Sequence, residues 1–87
     1  MTKGPKPYVA RRGTHTEIAA AMVAIYNAYW ANRVSRQAIA EEISATWEDV
    51  VRWSHQISEP DLETATKITA WYKKRWPDWR DHGRKAA

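Results

Sequence analysis

The chain of 87 residues is predicted to fold as a small all-α domain of four helices, and three observations predict it. Apolar residues recur at three- and four-residue spacing from Ile18 to Trp76. No stretch alternates with the two-residue period of a half-buried strand, and no internal repeat appears. Ser, Thr and Asp stand where helix starts would need a capping side chain. A chain this short makes one domain with a small core. Six Trp and four Tyr, with no Phe, let such a core bury more area per residue, and a second subunit could complete the aromatic surface. The absence of Cys rules out disulfides and thiolate metal sites. No apolar run approaches the ~20 residues of a membrane span. Met1 to Gly13 is polar and proline-bearing, unlike a signal peptide, so a cytoplasmic location is the default expectation.

Residues 1–13 read as a basic, extended arm, because Lys3-Gly4-Pro5-Lys6-Pro7 cannot be helical. The helical domain is expected over residues 14–77 and a basic tail over 78–87. Thr14-His15-Thr16-Glu17 has the form of a capping box, opening a first helix to about Asn32. Ile18, Met22, Ile25 and Tyr29 form its inner stripe, and Val23, Tyr26 and Trp30 a second apolar flank. Ser35 caps a short second helix to about Ile43, with Val34 stapled on Ile39. Thr46-Trp47-Glu48-Asp49 is a capping box with Asp in the last place, opening a third helix over residues 46–57. On a helical wheel Thr46, Val50, Trp53 and Ile57 face inward, while Glu48, Val51, Arg52 and His55 face outward with Trp47 on the shoulder. Ser58 is the expected cap of the fourth helix, with Pro60 in its first turn, Asp61 completing the box and Ile57 stapled on Leu62. Leu62, Ala65, Thr69, Tyr72 and Trp76 line its inner side, extended by Ile68 and Trp71, and Pro77 ends it.

Two short helices joined by about three residues must cross steeply. The stretch Ser35 to Trp53, SRQAIAEEISATWEDVVRW, resembles the helix-turn-helix of bacterial and phage regulators of the repressor-like kind. Ile39 and Ala40 match an aliphatic residue followed by a small one, and Ile43, Val50 and Trp53 match the remaining core places. Ser44 departs from the pattern, standing at the turn position that is usually Gly. The resemblance covers these nineteen residues only, and it implies a sequence-specific binder of double-stranded DNA, a transcription regulator with residues 46–57 in the major groove. Trp47, Glu48, Val51, Arg52 and His55 would then meet base edges. Arg52 is the natural guanine reader, Val51 could touch a thymine methyl, and Glu48 could accept from cytosine. Arg36, Gln37 and Thr46 would meet phosphates. A homodimer is expected, since one such module makes few base contacts and operators commonly mirror a two-fold axis. Its candidate interface is Ile68, Trp71, Tyr72 and Trp76, for which packing on the first helix is an equally simple reading.

Charge is segregated along the chain. Residues 1–13 carry +4, residues 14–72 carry −4 and residues 73–87 carry +4. Lys3, Lys6, Arg11 and Arg12 could therefore track phosphates, with the arm in a minor groove, or could simply keep the chain soluble. Two features oppose the DNA reading. Glu48 and Asp49 sit at the helix end that would approach DNA, and Glu48 is spaced to pair with Arg52. The alternative is a helical protein-interaction module, a host-factor binder or phage assembly component, anchored by Trp47, Trp71 and Trp79.

Catalysis is not expected. His15, His55 and His82 are isolated in sequence without a paired ligand at metal spacing, so no metal is predicted. There is no Gly-rich phosphate loop, and no nucleophile has a base and orienting partner. Glu41 and Glu42 are adjacent and so diverge by about 100° on a helix. No cofactor is implied.

Overall fold

Each helix begins where one side chain can satisfy a free backbone N–H of the first turn. The computed structural model describes residues 6, 8–10 and 12–78. Within them α1 spans Thr16–Tyr26 and continues as a π-helical turn, Asn27–Ala31. Then come α2 (Arg36–Ile43), α3 (Trp47–Ser54) and α4 (Leu62–Arg75). The described residues are all-helical, with four α-helices and no strand, as the periodicity predicts. None of these helices is long and apolar enough to cross a membrane.

Ser35 Oγ accepts from Ala38 N, and Thr46 Oγ1 from Asp49 N, both at 3.1 Å, so these two expected caps are formed. Two others are corrected. The cap of α1 is His15, whose Nδ1 accepts from Glu17 N at 3.1 Å. The Glu17 carboxylate accepts instead from the Thr69 hydroxyl at 3.3 Å, tying α1 to α4 rather than closing a box on Thr14. The cap of α4 is Asp61, whose Oδ1 accepts from Thr64 N at 2.8 Å. A helix capped by Ser58 would place Glu59 in the α region directly before Pro60, where the proline ring clashes, so the start slips past the proline. Bonds to the Thr64 hydroxyl and backbone N–H hold the Asp61 carboxyl below its ordinary pKa.

The helix ends form without glycine. Arg33, Ser44 and Gln56 are left-handed, with φ of 61°, 58° and 60°. After α2, Ala45 N donates to Ala40 O at 2.9 Å; after α3, Ile57 N donates to Arg52 O at 2.8 Å and Gln56 N to Trp53 O at 3.0 Å. These are Schellman closures, usually made by Gly. After the π-helical turn the loop is one residue wider, Val34 N to Ala28 O at 3.0 Å. A side chain in this conformation costs about 1–2 kcal/mol, which packing must offset. The closure at Gln56 ends α3 at Ser54, not residue 57, and leaves Ile57 72% exposed rather than inward. The staple between Ile57 and Leu62 does not form, because the residue before the true cap is the buried Pro60. Leu62 and Val23, expected at the core, are exposed at the start and outer side of their helices.

α1 and α4 make the most extensive helix pair. Ala21, Ala24, Ala28 and Ala65 are all buried, and small residues of this kind let backbones approach while Met22, Ile25, Ile68 and Tyr72 fill the space around them. α2 packs on α3 and on α4, and α3 also packs on α1. Ile39, Ala40, Ile43, Val50 and Trp53 join the same core, with Val34 against it as expected. Ahead of α1, Tyr8 packs on this core, and its hydroxyl donates to Glu59 at 2.6 Å. Gln56 Nε2 donates to Lys6 O at 2.6 Å. The chain at residues 6 and 8 thus lies against the connection between α3 and α4.

Candidate nucleic-acid interface

α2, the turn Ser44-Ala45-Thr46 and α3 present the residues singled out for nucleic acid. Ile39, Ala40 and Ile43 of α2 and Val50 and Trp53 of α3 are buried, which fixes how the two short helices sit together. On the outer side Trp47 is 55% exposed, Glu48, Arg52 and His55 are exposed, and Val51 is half-buried. Four of the five proposed base readers thus lie on α3 and His55 caps its end, with all but Val51 open to solvent.

Arg52 is not free. Its guanidinium lies 3.7 Å from the Glu48 carboxylate and 3.4 Å from that of Asp49, the intrahelical pairing that the spacing predicts. The side chains of these pairs are 46–74% exposed, and exposed pairs of this type contribute about 0–1 kcal/mol. A bidentate guanine contact discriminates by about 1–3 kcal/mol, so the pairs could be given up for one.

Arg36, at the start of α2, is held more firmly. Its Nε donates to Ser54 Oγ at 3.1 Å, and its Cζ lies 4.1 Å from the centre of the Tyr29 ring. Its Nη2 stands 2.7 Å from His55 Nε2. A guanidinium has donors only, so in this contact His55 Nε2 is the acceptor. Trp30 completes the cluster: its indole N–H donates to Ser54 O at 2.9 Å and its ring meets His55 edge-on at 5.8 Å. Trp30 and Arg36 therefore clamp the end of α3. The Tyr29, Trp30 and Ser54 roles were not legible beforehand. A buried indole N–H must find a partner, which was the signal for Trp30, but nothing in sequence marks Ser54 as fully buried.

Gln37 Nε2 reaches Glu41 at 3.4 Å, and the Thr46 hydroxyl oxygen is used as the α3 cap. Arg12 is exposed. Lys3, Arg11 and Trp79 lie outside the described residues, as does the tail from residue 79 onward.

Of the four candidate dimer residues, Ile68 and Tyr72 are buried in the chain's own core. Burial raises the Tyr72 hydroxyl pKa, against a hydrogen bond with Asn27 that lowers it. Trp71 and Trp76 are half-buried, meeting edge-to-face at 5.5 Å. The Trp71 indole N–H donates to Glu42 at 2.8 Å, and Arg75 pairs with the same carboxylate. The Trp71 bond, then Arg75, holds the Glu42 carboxyl below its ordinary pKa. Among the described residues no group of three or more His, Asp or Glu is placed to hold a metal ion.

Comparison with known proteins finds no matching family model, no matching curated protein and no matching solved structure.

Proposed function

We propose that this chain is a sequence-specific DNA-binding protein of the helix-turn-helix kind, a small regulator of the bacterial or phage type acting as a homodimer. The reading rests on one observation: two capped eight-residue helices joined through a left-handed Ser44, with the second helix carrying solvent-facing Trp47, Glu48 and Arg52 and ending on an exposed His55. In this proposal α3 lies in the major groove, Arg52 leaves its exposed carboxylates to read guanine, and Val51 and Glu48 read neighbouring bases. Gln37, Thr46, Arg36 and the arm residues Lys3, Lys6, Arg11 and Arg12 take phosphates. The half-buried Trp71 and Trp76 remain as the surface available to a second copy.

The test is selection from a mixed pool of duplex DNA, followed by affinity measurements over a range of salt. Arg52→Ala should lose discrimination between the selected and scrambled sequences by about 1–3 kcal/mol. Replacing Lys3, Lys6, Arg11 and Arg12 together by Gln should flatten the salt dependence while leaving Tyr8 in place on the core. Absence of sequence enrichment would sink the proposal.

A second reading is favoured by the acidic start of α3. Trp47 is exposed beside Glu48 and Asp49, which together neutralise Arg52. Such a surface suits a basic protein partner anchored on Trp47. The two readings separate on Asp49→Asn, which removes a carboxylate assigned to no base and should strengthen DNA binding nonspecifically but weaken capture of a basic partner.

A further inference from the structure

Three arginines of the described helices are held by named partners, and they differ in kind. Arg52 has Glu48 and Asp49, and Arg75 has Glu42. Arg36 has no carboxylate among the described residues, yet it is the one locked between a ring face and a fully buried serine. Ser54 is itself fixed, since its hydroxyl donates to Val51 O at 2.9 Å. An oriented cation without an anion is an incomplete arrangement. Its nearest polar neighbour, at 2.7 Å, is a second basic group, His55.

We propose that Arg36 and His55 form a proton-coupled site for a phosphate group, occupied by a backbone phosphodiester of nucleic acid. The assignment rests on the DNA-binding reading for the source of the phosphate, and on the geometry for the site itself. Without an anion, a proton on His55 Nε2 would turn that nitrogen from acceptor to donor and break its hydrogen bond with Arg36. With a tetrahedral oxyanion bridging them, both groups donate to it and protonation becomes favourable. Anion binding and proton uptake therefore strengthen each other by the same factor. The groups that face His55 are Arg36 from α2 and the Trp30 ring from the π-helical turn, with Tyr29 behind Arg36. On α3, Arg52 precedes it with its own charge matched by Glu48 and Asp49. No described carboxylate pairs with His55 or Arg36, so nothing internal supplies the missing negative charge. His55 then acts as a phosphate ligand rather than a base reader.

The test follows the His55 ring by NMR through a pH titration of the full chain, with and without inorganic sulfate, whose charge does not change over this range. The expected result is a rise of roughly one unit in the His55 midpoint with sulfate, a roughly tenfold coupling. His15 and His82 provide internal references and should move less, and Arg36→Gln should abolish the shift. In parallel, affinity for duplex DNA is measured at constant ionic strength between about pH 7.5 and 5.5, where wild type should gain roughly tenfold and His55→Gln should not. A His55 midpoint unmoved by sulfate overturns the site, as does a DNA pH dependence that survives in His55→Gln; DNA binding itself would then stand or fall separately. A sulfate-linked shift in a chain that binds no DNA supports the site and removes the nucleic-acid reading.

Discussion

The α1–α4 pair and the α2–α3 pair are held together in different ways. The first relies on apolar burial along helices of eleven and fourteen residues, with Ala21, Ile25, Ala65 and Ile68 fully buried. The second consists of two eight-residue helices, well below the ~12–15 residues at which isolated helices become even marginal. It depends on side-chain caps, on left-handed closures at Ser44 and Gln56, and on the Trp30 and Arg36 clamp. The scaffold is thus fixed mainly by area, and the candidate interface by a smaller buried face, Ile39, Ile43, Val50 and Trp53, together with directional polar contacts.

The sharpest way to break this comparison is through the scaffold. Ile25→Ala should destabilise by about 3 kcal/mol, the transfer loss plus a cavity in a site with no exposure. That is a large part of the ~5–15 kcal/mol typical of a whole domain, and urea denaturation should show one cooperative loss of all helices. Next, Trp30→Phe should cost about 1–2 kcal/mol by leaving the Ser54 carbonyl without its indole donor. Hydrogen exchange should localise the added opening to the end of α3, and uniform exchange across α1 and α4 would mean that the two helix pairs open as one unit. Ser44→Gly should stabilise by about 1 kcal/mol, because Gly adopts this turn without side-chain strain; an unchanged or lower thermal midpoint would mean that Ser44 makes compensating contacts.

The smallest expected effect concerns the seam between α2 and α4. Glu42 has a folded pKa below its ordinary value of 4.5, so its contribution is present above that value and is lost as pH falls through the lower folded pKa. Because the carboxylate is over a third exposed, this contribution should stay below about 1 kcal/mol. Glu42→Gln should reduce the acid-side slope of stability, and an identical acid limb in variant and wild type would assign that slope to other groups.

Much of the scaffold was legible because its rules are local. The stripe through Met22 and Ile25, the caps Ser35 and Thr46 and the small Ala40 all depend on residues within one or two turns of one another. The candidate interface was legible in its surface row and in the Glu48–Arg52 pairing, which is also a short-range effect. Reading failed where two local signals competed, as at Ser58 and Asp61, where the proline between them decided the matter. It also failed at Ile57, which continues the apolar pattern of α3 but follows the closure at Gln56.

By itself, the sequence determined the helical class, the number of helices and most of the faces they bury, because periodicity and capping act over three to seven residues of continuous chain. Tertiary structure alone decided that Arg33, Ser44 and Gln56 take the left-handed closures, since only packing elsewhere can offset the strain of a side chain there. It also decided that Arg36 meets His55, nineteen residues away, with Tyr29 and Trp30 around them. No spacing rule reaches that far, because the encounter depends on the angle at which α2 crosses α3 and on the π-helical turn that brings both rings to it.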